Sequence, residues 1–278
     1  MLKARVITAV VRLAILLPVL FQPSPWPFAW VTVVLMGAAG WEWARLNGLP
    51  GAGALAAGVA LALACVWTLL IGGLHAPPPW VWSIASLAWV LGGAYALRAG
   101  PAGWPRIARG ARLALGALLL WGAWLAIVQA KVHGINFLLS LFCLVWMADV
   151  AAYFCGRAFG KRKLAPAISP GKSWEGVWGG LAGVILLGFT WVHVIDVNVA
   201  VDSPSLFTLL VQRHGWISLL AIVFLTAMSV VGDLFESLVK RAVGAKDSSN
   251  LLPGHGGVLD RIDALLPVFP LALALISL

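Results

Sequence analysis

The sequence predicts an all-α, polytopic membrane protein of about nine transmembrane helices with a cytoplasmic N-terminus. Three observations predict it. Of the 278 residues, 62% are hydrophobic and only 10% charged, with a mean hydropathy of +0.96. A soluble domain carries about 25% charged residues, so this chain lacks the polar surface to cover a globule, and lipid must be its solvent. Apolar runs recur at 6–21, 28–44, 53–71, 79–97, 110–130, 135–156, 175–195, 216–239 and 262–278, near the ~20 residues a crossing needs. Finally, the connections alternate in charge. All but Lys131 and Arg213 of the nineteen Lys and Arg fall on one side, which places the N-terminus in the cytoplasm and, with an odd number of spans, the C-terminus outside. The formal charge of +9 is therefore read as topology, and no nucleic-acid partner is expected.

The first run follows Lys3 and Arg5 and contains Arg12. It lacks a small-residue cleavage site and is followed by Pro23, Pro25 and Pro27, so it is read as a retained anchor. The second ends in Trp41-Glu42-Trp43-Ala44-Arg45, where Glu42 is expected to pair with Arg45 three residues on. Trp26, Trp30, Trp41, Trp43, Trp80, Trp82 and Trp104 cluster near predicted span ends and are expected to form an interfacial belt. Within 135–156, Asp149 stands seven residues from the helix end, roughly 10 Å deep at 1.5 Å per residue. An ionisable group there faces a partner or a water-filled cavity, and Tyr153 and Gly156 share its face. The last run holds Pro267 and Pro270, so a kink is expected, which neighbouring helices can accommodate. Cys65, Cys143 and Cys155 form no CxxC pair and indicate neither disulfide nor zinc site. With no repeat or separate soluble segment, 1–278 reads as a single integral-membrane domain.

The chemistry concentrates in two stretches. At 232–263 stand five of the ten carboxylates (Asp233, Glu236, Asp247, Asp260, Asp263), the cations Lys240, Arg241, Lys246 and Arg261, and the run Pro253-Gly254-His255-Gly256-Gly257. Asp233, Glu236, Ser237 and Lys240 share one helix face. Asp260 and Asp263, with Asp149 and Asp233 arriving from other helices, are the hard oxygen ligands that Mg²⁺ prefers. The glycines beside His255 let backbone approach an anion. The second stretch, Ser169-Pro170-Gly171-Lys172-Ser173, is not a Walker loop, because Pro166 occupies the position of its first glycine and no strand is predicted before it. Ser169, Lys172 and Ser173 still offer donors to phosphate at the start of a helix. A transporter with a cytoplasmic-side ion site is the alternative, but transporters place their ionisable groups near the midplane, often in repeated broken helices.

These residues resemble the phosphatidate cytidylyltransferase family. The match runs through Ser237, Val239-Lys240-Arg241, Lys246-Asp247, Pro253, His255-Gly256-Gly257 and Asp260-Arg261-Ile262-Asp263, and in a second region through Ala148-Asp149, Ala152-Tyr153, Gly156-Arg157 and Ser169–Ser173. Val150-Ala151 depart from it. Motif detail covers the C-terminal half, with Trp41-Glu42-Trp43 similar to bacterial members. The resemblance implies that CTP and phosphatidate give CDP-diacylglycerol and pyrophosphate with Mg²⁺ in a bacterial cytoplasmic (inner) membrane, with the site facing the cytoplasm. It further implies that Asp233 and Asp260 hold the metal, with Asp149 or Asp263 nearby, and that the protein is a homodimer. The expected division is 1–130 for N-terminal spans and 131–278 for catalytic spans and loops. Lys240 and Arg241 are expected to act in catalysis with the two aspartates. Ser169, Lys172, Ser173, Lys246, His255 and Arg261 are expected to bind substrate.

Overall fold

The structure, a computed structural model, describes residues 14–199 and 201–277. A helical stretch at 14–21 comes first. Residues 6–13 of that predicted span, with Lys3, Arg5 and Arg12, lie outside the described residues. Then follow α1 (Pro25–Leu46), α2 (Gly51–Gly72), α3 (Trp80–Arg106), α4 (Arg109–His133) and α5 (Ile135–Phe159). A small antiparallel hairpin, β1 (Lys163–Ala165) and β2 (Ser169–Ser173), leads into α6 (Trp174–Asn198). The chain ends in α7 (Leu206–His214), α8 (Ser218–Ala242), α9 (Leu259–Ile262) and α10 (Leu265–Ser277).

Among the described residues, six segments are long and apolar enough to cross a membrane: α2, α3, α4, α5, α6 and the stretch Leu206–Ala242 that joins α7 to α8. The other predicted spans differ for physical reasons. Helix α1 carries Glu42 and Arg45 in its last turns. Helix α10 has 13 residues, about 20 Å at 1.5 Å per residue, and is buried along nearly its whole length as a central core helix.

Local chemistry sets the boundaries. Ser173 and Ser205 cap α6 and α7, each hydroxyl accepting from an amide at 3.2 Å, Gly176 and Thr208 respectively. The start of α5 is capped from elsewhere: the Asp202 carboxylate accepts from Ile135 N at 2.6 Å and Asn136 N at 2.9 Å. Gly134, between α4 and α5, has φ 138°, and a side chain there would run into Ser203. Only glycine meets both demands.

The predicted aromatic belt is partly a core. Trp26, Trp30 and Trp80 are exposed, but Trp43, Trp82 and Trp104 are buried. Trp43 stacks on Phe235 of α8 at 6.0 Å, and Trp104 meets both edge-on. Trp43 and Trp104 have polar ends that also find partners inside, the Arg112 carbonyl and Asn47 Oδ1. A buried indole is favourable when its N–H is satisfied. Lys131, an exception to the charge bias, is buried too. Its Nζ donates to the Leu20 and Gln22 carbonyls, both at 2.8 Å.

Two close helix crossings position the site. Helix α6 lies against α5 through small residues. A Cβ on Gly176 would sit 2.9 Å from the Ala152 carbonyl oxygen, and one on Gly180 2.8 Å from that of Ala148. This is the small-xxx-small packing by which membrane helices bring backbones together. Helix α8 meets α10 at Gly232, where a Cβ would lie 2.9 Å from the Pro267 ring. The first crossing places the hairpin over Asp149, and the second places Asp233 beside Asp263.

Candidate active site

The first crossing closes a cavity of about 430 Å³, lined by Asp149, Tyr153 and Arg157 of α5, Ser169, Lys172 and Ser173 of the hairpin, and Asp233 of α8. Lys172 Nζ lies 2.6 Å from Asp233 Oδ2. Ser237, one turn on, donates to Asp233 Oδ1 at 3.3 Å. Since the Ser173 oxygen accepts from Gly176 N, its own proton is left to donate elsewhere. Arg157 donates to the Tyr153 hydroxyl at 3.3 Å. The hairpin is tied to α6 through Glu175, which accepts from the Lys161 and Arg162 amides. A larger apolar groove of about 640 Å³ between α1, α2 and α4 carries no titratable side chain, whereas carboxylates and cations line the smaller cavity.

The second crossing leads into the loop 243–258. Asp260 Oδ1 accepts from Lys240 Nζ at 2.6 Å. Asp260 Oδ2 accepts from Ser248 N and Oγ, both at 2.9 Å, and from Gly257 N at 2.8 Å. Burial alone would push this carboxyl up, but the Lys240 hydrogen bond and the Gly257 and Ser248 amides outweigh it and bring it down to about 2. Lys240 also pairs with Glu236 Oε2 at 2.5 Å. Burial, with the charges of Asp233 and Asp149 close by, holds the Asp263 carboxyl well above the usual carboxylate range.

The sequence therefore brings Asp149, Ser169, Lys172, Ser173 and Asp233 into one cavity, as expected, with Asp263 close to its acids. Asp260 is placed differently. It does not line that cavity, and its four donors fill the roughly four lone-pair sites of a carboxylate, so a metal would have to displace one. Among the described residues, no three His, Cys, Asp or Glu side chains stand together as a metal shell. The expected gathering of four aspartates is instead divided, Asp233 with Lys172 and Asp260 with Lys240.

Arg261, expected at substrate, and Arg241, expected in catalysis, both hold backbone. Arg261 donates from both Nε and Nη2 to the His255 carbonyl. Arg241 donates to the Ala245 carbonyl at 3.0 Å and the Ile168 carbonyl at 3.4 Å. His255 Nδ1 is buried with no hydrogen-bond partner. Lys246 is exposed.

Glu42 was expected to pair with Arg45. Instead Arg45 lies over the Trp41 ring, 4.7 Å from its centroid, and Glu42 points inward to the loop. It accepts from Ser248 Oγ (3.1 Å), Ser249 Oγ (2.6 Å), Val258 N (2.9 Å) and Leu259 N (2.7 Å). The helical spacing of Glu42 and Arg45 gave no sign of partners some two hundred residues away. Arg157, which lines the cavity, was legible in the family match but carried no expected role at the site.

The glycine run is shaped to this packing. Gly256 takes φ 81°, and a Cβ on Gly257 would overlap both Ser248 Oγ and Glu42 Oε1. Gly257→Ala is expected to cost about 1–3 kcal/mol by overpacking and to lower the melting temperature. Gly110→Ala, which meets nothing within 4 Å, should leave it unchanged. Equal melting temperatures for the two variants would show that the loop yields freely.

Comparison with known proteins finds relatives along the whole chain. A model of the Cytidylyltransferase family matches residues 3–278. A phosphatidate cytidylyltransferase of Pseudomonas aeruginosa is 41% identical over 283 aligned residues, covering 99% of this chain and 97% of the relative. One from Haemophilus influenzae is 51% identical over 138 residues, 50% of this chain and 44% of the relative. One from Staphylococcus saprophyticus is 38% identical over 143 residues, 51% of this chain and 50% of the relative.

Proposed function

The chain belongs to the cytidylyltransferase family, and from that premise we propose how its residues divide the work. It is a membrane enzyme that joins CTP to phosphatidate, giving CDP-diacylglycerol and pyrophosphate. A phosphate oxygen of phosphatidate attacks the α-phosphorus of CTP, and the bond from that phosphorus to the β,γ-pyrophosphate breaks. The attacking oxygen is already anionic, so no strong base is required. The difficulty is to bring two anions together, and positioning with charge neutralisation meets it.

The observation that carries this assignment is the Lys172 ammonium in a cavity with Ser169, Ser173 and two carboxylates. Lys172 and the two hydroxyls bind the CTP phosphates. Lys240, set between Glu236 and Asp260, brings positive charge beside the loop. His255 Nδ1, buried and without a partner, is directed to an anion. Arg241 and Arg261 act through the backbone they hold, and Lys246 meets phosphate from the rim.

The hard oxygens of Asp149, Asp233 and Asp263 suit Mg²⁺, which commonly takes one or two carboxylates and completes its shell with water and substrate phosphate. Asp233, with Asp149 or Asp263, would hold it, and Asp260 would join only by releasing a donor. Bound there, magnesium would neutralise charge on the triphosphate and the departing pyrophosphate.

The alternation of basic connections supports a cytoplasmic N-terminus, a site open to cytosolic CTP, and nine crossings if the first helix, α1 and α10 also span. From the apolar helices and the bacterial source of the relatives we extend the assignment to a bacterial cytoplasmic (inner) membrane, and further to a homodimer.

Purified protein in detergent should convert CTP and phosphatidate to CDP-lipid when Mg²⁺ is supplied and stop when it is chelated. Intact protein that forms no CDP-lipid would overturn the assignment. Undiminished turnover in chelator would remove magnesium alone.

A further inference from the structure

We infer that Glu42, a residue of the N-terminal half, is a positioning residue for the reaction, fixing the loop 248–259 and through Ser248 the carboxylate of Asp260. This deepens the cytidylyltransferase reading and rests on it.

The geometry supports a specific task rather than general packing. Glu42 is fully buried, with 0% of its surface exposed. A buried carboxylate is costly unless its oxygens are fully hydrogen-bonded. Here both are bonded, and all four donors come from one short stretch: the hydroxyls of Ser248 and Ser249 where the loop turns in, and the amides of Val258 and Leu259 where it becomes α9. One side chain thus clamps both ends of the segment that contains His255 and the glycine run. The glycine at 257 leaves the space that the Glu42 carboxylate fills.

Ser248 then carries the effect to Asp260. Its Oγ lies 3.1 Å from Glu42 Oε2 and 2.9 Å from Asp260 Oδ2. A hydroxyl has one proton to give, so the two carboxylates share it, and a shift of one moves the donor of the other. Asp260 in turn holds Lys240. The chain of contacts runs Glu42, Ser248, Asp260, Lys240, and ends on an ammonium held between Asp260 and Glu236.

Glutamine at this position keeps the shape but replaces one acceptor oxygen with an NH₂ group. Whichever way it turns, it presents hydrogens to an amide and a hydroxyl that need an acceptor. A purely structural role would show as unfolding. A positioning role would show as loose loop amides and slow turnover in a protein that is still folded.

The test compares wild type, Glu42→Gln and Ser249→Ala, purified in detergent. Three measurements are made: the melting midpoint, hydrogen exchange of the 247–260 amides against the rest, and kcat and KM for CTP. For Glu42→Gln, kcat should fall at least 100-fold and KM for CTP change less than fivefold, with faster exchange confined to 247–260. Ser249→Ala removes one donor to Glu42 and the acceptor of the Leu251 amide but leaves the charge in place, so it keeps the test open if the Gln variant does not fold. It should lower kcat about threefold to tenfold with an unchanged melting midpoint. Activity within twofold of wild type for Ser249→Ala, together with either near-normal kcat or global unfolding for Glu42→Gln, would overturn the inference. An inactive wild type would instead overturn the functional assignment, so the two failures are distinguishable.

Discussion

Asp260→Asn is expected to lower kcat by about 10²–10⁴-fold. The carboxylate is engaged by an ammonium, two amides and a hydroxyl, and asparagine cannot accept from all four. If its NH₂ faces Lys240, two like donors meet. If it faces the loop, the Ser248 and Gly257 amides lose their acceptor. A loss of about 3–5 kcal/mol of transition-state stabilisation corresponds to this range, at about tenfold in rate for each ~1.4 kcal/mol. Initial rates at saturating CTP and phosphatidate measure the effect. Turnover within threefold of wild type would show that the loop works without this charge. The same carboxylate sets an acid limit. Its pKa of about 2 in the fold lies below the ~3.9 of a free Asp, so its contribution to stability is complete above about pH 4 and disappears as pH falls through about 2.

The second large effect is expected at Lys172. Lys172→Met removes the ammonium but keeps the length of the side chain, and kcat/KM for CTP should fall about 10²–10³-fold, the scale of losing one preorganised charge donor at a transition state. The ion pair with Asp233 supplies an internal check. If Lys172 served only to neutralise Asp233, the double variant Lys172→Met/Asp233→Asn would regain activity. The expected result is that it stays as slow as the slower single variant, because each residue has its own role at the phosphates. Recovery to within tenfold of wild type would make the pair structural.

Much of this was legible because apolar length is a direct physical requirement. The runs 53–71, 110–130 and 135–156 lie within α2, α4 and α5. The apolar setting of Asp149 singled it out, and it lines the cavity; the helical spacing of Asp233, Glu236 and Lys240 placed them on one face. What was hidden depended on partners distant in sequence. Trp43 and Trp104 read as interfacial because they stand near span ends, whereas they pack on Phe235. Helix α7 fell in an assumed loop because nine residues are too few for a span. Arg261 looked like a phosphate ligand because charge carries no direction in a sequence, and only the fold shows it bonded to the His255 carbonyl. Glu42 was hidden in the same way. Spacing along its own helix offered Arg45, while its donors come from the other end of the chain.

The last turn of α8 has a mechanical consequence. Neighbouring residues on a helix point about 100° apart. Lys240 takes one direction, to Asp260, and Arg241 the other, to the Ile168 carbonyl beside the hairpin. The Asp260 loop and the hairpin are therefore mounted on one shaft. A small rotation of α8 that tightened the Asp260 loop would draw Arg241 along the hairpin by a matching arc.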